Sequence, residues 1–212
     1  MSSVVLVGSG GHARVLVGIA RRDSAFAFTG YVDVRDRGVR DGLPYLGPDA
    51  CVRTEYADCG LLLGVGLMID ARARWRLYEW HRDRGARFVS LVSTHACVGP
   101  ETRLGGGTVV MDLAAVNAGA VLGAACIVNT GAVVEHDCRI GDNVHIAPHA
   151  TVCGEVSIGD HCLIGAGATI VPGVRVASGS IIGAGAVVTS DVAEPGTYRG
   201  VPARRRGEGM PA

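Results

Sequence analysis

One histidine in this chain stands between two carboxylates, Glu135-His136-Asp137, inside the run NTGAVVEHDCRIGDNVHIAPHA at residues 129–150. Adjacent carboxylates raise the basicity of an imidazole and fix its tautomer, which suits a general base taking a proton from an attacking nucleophile. The same run carries His145 and His149, so it holds three of the seven histidines. Their i, i+4 spacing binds zinc on a helix, although the surrounding residues do not read as one. A three-histidine metal site assembled between chains, with hydratase chemistry, stays open as an alternative.

A second group lies in VVLVGSGGHARVLVGIARR, residues 4–22, where Gly8, Gly10 and Ala13 have the spacing G-x-G-x-x-A between an apolar run and a stretch of helical period. Glycines in such a turn let the backbone approach a phosphate at the N-terminus of the following helix. Asp33 follows Ala13 by twenty residues, where a ribose-binding acid belongs. A dinucleotide needs two mononucleotide-binding halves, and the roughly 85 residues available supply one. Binding of a nucleotide therefore fits better than NAD-linked hydride chemistry, and a bare strand-to-helix turn at Gly10 and Gly11 is the plain alternative.

Composition narrows the chemistry further. All twenty basic residues are arginine, which removes every mechanism that needs a lysine amine, including Schiff bases and the Walker phosphate loop. Net charge is zero and arginine forms no long stripe, so no nucleic-acid partner is expected. Neither a signal-type leader nor an 18-residue apolar stretch is present, and a cytoplasmic protein without membrane insertion is expected. The seven cysteines include no C-x-x-C; most are expected to be small buried hydrophobes. Glycine is abundant, at 32 residues, while aromatics make only 5%, which points to something narrow and repetitive.

The elements that must position these groups fall into two patterns. Up to about Phe88 strands and helices alternate: strands at 4–8, 28–34 and 59–66, helices at 12–22 and 70–85, and a Gly/Pro loop at 40–48. This predicts a small parallel α/β unit. From Val92 onward a period of six appears, and all seventeen positions reached by that step, through Val188, are aliphatic. Four residues beyond each lies a small or β-branched residue, from Ala96 to Val192. The pattern predicts a three-sided parallel coil with one hexad per side, about 27 Å tall at roughly 4.8 Å between paired strands. Within it Ala166 and Ala184, eighteen residues apart, stack into a narrow ledge for an extended ligand. His145 lies nine residues beyond His136, half a turn, on the opposite side of the prism. If both serve one site, that site lies between neighbouring subunits.

Taken together, the blocks GSGGHARV, GYVDV, LPYLGP, RFVSLV, NTGAVVEHDCRIGDNVHIAP, IGAGAVVTSDV and GVPAR resemble the bacterial sugar acyltransferases that include sialic acid O-acetyltransferases and UDP-4-amino-sugar N-acetyltransferases, the NeuD/PglD family. The resemblance implies an α/β N-terminal Rossmann-like domain over residues 1–88 for a nucleotide-linked sugar. It also implies an all-β left-handed parallel β-helix of hexapeptide repeats over 89–192, and a capping tail over 193–212. It further implies a homotrimer with acetyl-CoA between adjacent coils and an acetyl group moved to an amine or hydroxyl of the sugar. By the same resemblance His136 matches the general base, and Asp137, or Glu135, the carboxylate that tunes it. His145, Ala166 and Ala184 match coenzyme-lining positions, while Gly10, Gly11, His12, Asp33, Val34 and Gly66 match positions that hold the sugar nucleotide. Two departures stand out: His149 replaces a smaller residue, and GVGLMIDAR lacks the Asn that often follows the family's glycine. A non-catalytic protein binding a sugar nucleotide or NAD is the remaining reading.

Overall fold

The computed structural model describes residues 3–23, 25–66 and 71–206 and divides into two compact units, residues 1–93 and 94–212. The first unit carries a four-stranded parallel sheet of β1 (Ser3–Val7), β2 (Ala27–Val32), β3 (Tyr45–Gly47) and β4 (Gly60–Leu63), in the order β3-β2-β1-β4. Val4–Val7 and Leu61–Leu63 are almost fully buried, as expected of central parallel strands covered on both faces. Helix α1 (Gly11–Arg22) turns Ala13, Leu16, Val17 and Ala20 inward, while Arg21 and Arg22 close its last turn, where cations complement the helix dipole.

Two elements differ from the sequence reading. The expected loop at 40–48 contains β3, which pairs with β2 through Tyr31–Tyr45 and Val32–Gly47. Gly30 makes this approach possible, because a methyl group there would lie 2.6 Å from the Pro44 carbonyl oxygen. A short helix, α2 (Val52–Glu55), follows a 3-10 turn at Asp49–Cys51, where only connection was expected. The second long helix, α3 (Ala71–Arg82), is shorter than its expected span of 70–85, of which residue 70 lies outside the described residues.

The second unit is a coil of two-residue strands on three parallel faces, each strand pairing with the one eighteen residues on, as in Val133–Thr151, Arg139–Ser157 and His145–Leu163. The first face holds strands 97–98, 115–116, 133–134, 151–152, 169–170 and 187–188. The second holds 103–104 through 175–176, and the third runs from 109–110 to 181–182. In each pair the second residue points into the prism, and every six-step position from Val110 to Val188 is at most 4% exposed. Val92 and Val98 depart from that expectation at 39% exposure; Val98 lies on the lowest strand of the first face, so no lower turn of that face covers it. Small residues fill the tight interior beside them, with Ala132, Cys138, Ala150 and Ala168 at 0% exposure.

The corners need no loops because their N–H groups bond carbonyls of the turn below, as in Asp137 to Ala118 and Asn143 to Ala124, and side chains add further partners. At the corner between the second and third faces, Asp142 Oδ1 accepts the Ala124 N–H at 2.6 Å, and the Asp142 N–H donates to Asp160 Oδ1 at 2.7 Å. The upper end is covered by strand 197–199, which extends the third face and turns back antiparallel through 204–205, with Tyr198 and Ala203 against the apolar core. All seven cysteines are free thiols, but only Cys126, Cys138 and Cys162 are buried; Cys51, Cys59 and Cys153 are half-buried and Cys97 is exposed. The small-hydrophobe reading therefore holds only where the cysteine takes an inward coil position. There burial pushes the Cys138 and Cys162 thiols up to about 11, which keeps them protonated and unreactive at neutral pH.

Candidate active site

His136 follows the strand 133–134 directly, at the corner between the first and second faces, so the inward commitment of Val134 forces the imidazole outward. Its Nδ1 lies 3.0 Å from Asp137 Oδ2, and both side chains are more than half exposed. A carboxylate can only accept, so Nδ1 carries the proton and Nε2 of the neutral ring keeps its lone pair. The hydrogen bond to Asp137 is the largest cause that holds the imidazole above the ordinary histidine range, and the charges of Asp137, Glu135 and Glu155 add to it. Asp137 reaches the ring from a left-handed backbone conformation, φ 58°, which Asp tolerates better than most residues.

Glu135 is held differently. Its Oε2 accepts from Asn117 Nδ2 at 2.8 Å, one coil turn below, so Glu135 contributes charge while Asp137 makes the contact. The sequence alone left the two carboxylates equivalent. Asn117 belongs to no local motif, and only its offset of eighteen from Glu135 points to it in the sequence.

His145 stands on the third face, away from the His136 corner along the chain's path, in line with the half-turn offset. Thr130 N–H donates to Asn129 Oδ1 at 2.8 Å, which orients the amide so that Asn129 Nδ2 faces His145 Nε2 at 3.0 Å. Nε2 therefore accepts and Nδ1 carries the proton. Ala166 and Ala184 are exposed and stacked, the Gly185 N–H donating to the Ala166 carbonyl at 2.9 Å. The same corner continues down to Pro148, whose carbonyl accepts the Gly167 N–H at 3.0 Å. His149 lies at the foot of this ledge with its ring over Gly131, where a methyl group would come within 2.5 Å of the imidazole.

In the first unit Gly10, Gly11, His12, Asp33, Val34 and Gly66 all line one cavity of about 390 Å3, together with Asp49. Gly10 caps α1 without a side-chain hydrogen bond, and Gly10, Gly11 and His12 at the helix start line the cavity. Asp33 Oδ2 accepts from the Ser9 hydroxyl at 2.6 Å, which fixes the carboxylate at the end of β2. Gly66 leaves room for His12, since a methyl group there would lie 3.3 Å from the histidine Cβ. Of the GVGLMIDAR stretch, residues 67–70 lie outside the described residues. A wider groove of about 670 Å3 on the second face, between Arg139 and Arg175, contains none of the expected site residues. Among the described residues no group of three or more His, Cys, Asp or Glu side chains could hold a metal ion within one chain.

Comparison with known proteins gives a consistent answer. Residues 3–81 match the PglD N-terminal domain, 119–154 the bacterial transferase hexapeptide (six repeats), and 155–190 the hexapeptide repeat of succinyl-transferase. No curated protein sequence matches the chain. Among solved structures, PerB from Caulobacter crescentus in complex with CoA and GDP-perosamine is 35% identical, with 98% of each chain covered and a TM-score of 0.90. The acetyltransferase domain of PglB from Neisseria gonorrhoeae FA1090 is 32% identical over 97% of this chain and 100% of that one, with a TM-score of 0.90. WeeI from Acinetobacter baumannii AYE is 25% identical over 97% and 100%, with a TM-score of 0.87. The Caulobacter crescentus perosamine N-acetyltransferase has also been solved with one histidine replaced by Asn or Ala.

An α/β domain followed by a left-handed parallel β-helix of hexapeptide repeats defines the class of hexapeptide acyltransferases. Within that class the chain belongs to the PglD/NeuD-type sugar acetyltransferases. It is an acetyl-CoA-dependent enzyme that acetylates nucleotide-linked sugars.

Proposed function

We propose that the acceptor is an amine of the nucleotide-linked sugar and that His136 Nε2 is the base that activates it. As the nitrogen attacks the thioester carbonyl carbon, its proton passes to Nε2 and the Asp137 carboxylate stabilises the imidazolium. Collapse of the tetrahedral adduct breaks the C–S bond, and the imidazolium returns the proton to the leaving thiolate to give free CoA. The observation that carries this reading is the 3.0 Å contact between His136 Nδ1 and Asp137. That contact leaves Nε2 with its lone pair as the acceptor. PerB, at 35% identity, binds GDP-perosamine, an amino sugar, which supports an amine over a hydroxyl.

The cavity around Gly10, Gly11, His12, Asp33, Val34 and Gly66 would take the nucleotide, with the diphosphate at the start of α1 and a ribose hydroxyl donating to Asp33. The Ala166 and Ala184 ledge, with His145, would take the pantetheine arm of acetyl-CoA, whose extended chain needs a surface free of bulky side chains. Incubating the enzyme with acetyl-CoA and UDP-, GDP-, dTDP- or CMP-linked amino sugars, and following free thiol, tests the reading. One nucleotide series should release thiol in step with N-acetylated product; release with none of them would remove it. Acetyl-CoA alone should raise the melting temperature, since ligand at a hundred times its Kd adds about 2.7 kcal/mol of stability. A shift with NAD and none with acetyl-CoA would favour the nucleotide-binding alternative.

Oligomerisation into a homotrimer is part of the proposal. Outward positions of the first face, such as Ala115, Val133, Thr151, Thr169 and Val187, and of the upper part of the third, Leu163 and Ile181, carry no charge. The second face instead presents Arg103, Arg139 and Arg175. Two charge-free faces and one charged face support a closed ring in which the arginines meet solvent. Light scattering should give three times the 21.8 kDa chain mass. No described helix is long and apolar enough to cross a membrane, and cytoplasmic action fits a dependence on acetyl-CoA and sugar nucleotides.

The substitution Asp137→Asn separates orientation from basicity. Because the Asp137 hydrogen bond raises the His136 pKa, its loss should move the acidic limb of the kcat/KM profile to lower pH. The plateau should fall as well, since a carboxamide in place of the carboxylate could hold either tautomer of the ring. A limb that stays in place would assign the acidic pKa to another group.

A further inference from the structure

Several glycines of the coil corners answer to the backbone of the next turn. At Gly141, for instance, a methyl group would lie 2.8 Å from the Asp160 backbone nitrogen. Gly154 is different. It is buried one turn above His136, and the three atoms nearest to a methyl group on it would all belong to the imidazole, at 2.5 Å from Nε2, 2.7 Å from Cε1 and 3.1 Å from Cδ2. All three distances are well inside the ~3.5–4.0 Å at which heavy atoms attract. The approach is closest at the nitrogen that must take the proton. The Gly154 backbone is not in the left-handed region, so alanine fits its conformation and no turn requirement explains the glycine.

We propose that Gly154 is a positioning residue for the base: it keeps the space beside Nε2 clear so that His136 can hold its hydrogen bond to Asp137 with the lone pair open. This inference rests on His136 being the base and adds a second-turn element to it. The imidazole is 55% exposed and free to swing outward, so an added methyl group should displace the ring rather than unfold the coil. The swung ring would leave Asp137, and it would also leave the charges that now surround it, those of Glu135, held by Asn117, and of Glu155.

The test is Gly154→Ala in the full-length enzyme, alone and combined with His136→Ala. Misplacing a catalytic group by about 1 Å costs up to about a hundredfold, so turnover should fall roughly 10- to 100-fold with little change in melting temperature. The acidic limb of kcat/KM should move to lower pH as the Asp137 contact is lost. In the His136→Ala background the same substitution should cost nothing further, because the ring it would displace is gone. Full activity in Gly154→Ala, an unmoved limb, or an equal loss in both backgrounds would overturn the inference and leave the base assignment standing. Wild-type activity in His136→Ala itself would instead remove the assignment on which it rests.

Discussion

Replacing His136 by Ala is expected to lower turnover by about 10²–10⁴-fold, the range contributed by a positioned general base. Several observations make this the largest catalytic effect in the chain. The ring projects from a coil corner with Nδ1 committed to Asp137, so Nε2 is the free acceptor. The chain has no lysine that could substitute as base. Nearby Cys138 has its thiol pushed up to about 11 by burial and cannot serve as a nucleophile at neutral pH. The substitution removes an exposed side chain, so folding and assembly should survive; light scattering and the melting temperature check that. Binding of acetyl-CoA should persist in the variant, since the ledge at Ala166 and Ala184 does not depend on the ring. A variant that keeps most of its turnover while intact would show that the acceptor amine needs no base at this position.

For stability, the largest effect is expected in the prism. Ile164 is 0% exposed, midway up the third face, stacked between Ile146 and Ile182. Ile164→Ala removes methylene contacts and leaves a cavity that a coil of two-residue strands cannot close, because every strand is fixed by ladder bonds above and below. The loss should be about 2–5 kcal/mol, read as a lower denaturant midpoint at fixed protein concentration with an unchanged slope. Val39→Ala, at a residue 71% exposed, should change stability by no more than about 0.5 kcal/mol. Comparable effects at the two positions would contradict a core made of the six-step aliphatic series.

The coil was legible because its period does two jobs at once. A step of six selects the face and a step of eighteen selects the vertical neighbour, so Val134 pointing inward and His136 outward both follow from counting. The stacking of Asn117 on Glu135 and of Gly154 on His136 obeys the same count. Those contacts leave no mark in any local motif, because the partners are a full turn apart along the chain. The α/β unit had no such ruler. Strand β3 hides in a Gly/Pro-rich stretch, and what makes it a strand is Gly30 on another strand, a contact between distant residues. The choice between Glu135 and Asp137 likewise needed coordinates, since it turns on a left-handed φ at Asp137 and an amide one turn away.

A site shared between copies requires His136 of one chain and His145 of the next to serve one acetyl-CoA, and mixed assembly examines this directly. His136→Ala and His145→Ala proteins, each of low activity, would be unfolded together, refolded in equal amounts and assayed for acetyl transfer. In a ring of three with random mixing, about a quarter of the seams would combine an intact His136 with an intact His145 from the neighbouring copy, so activity should rise to about that share of wild type. A mixture no more active than the average of its two parents would mean that both histidines act within one chain or that His145 has no part in the site.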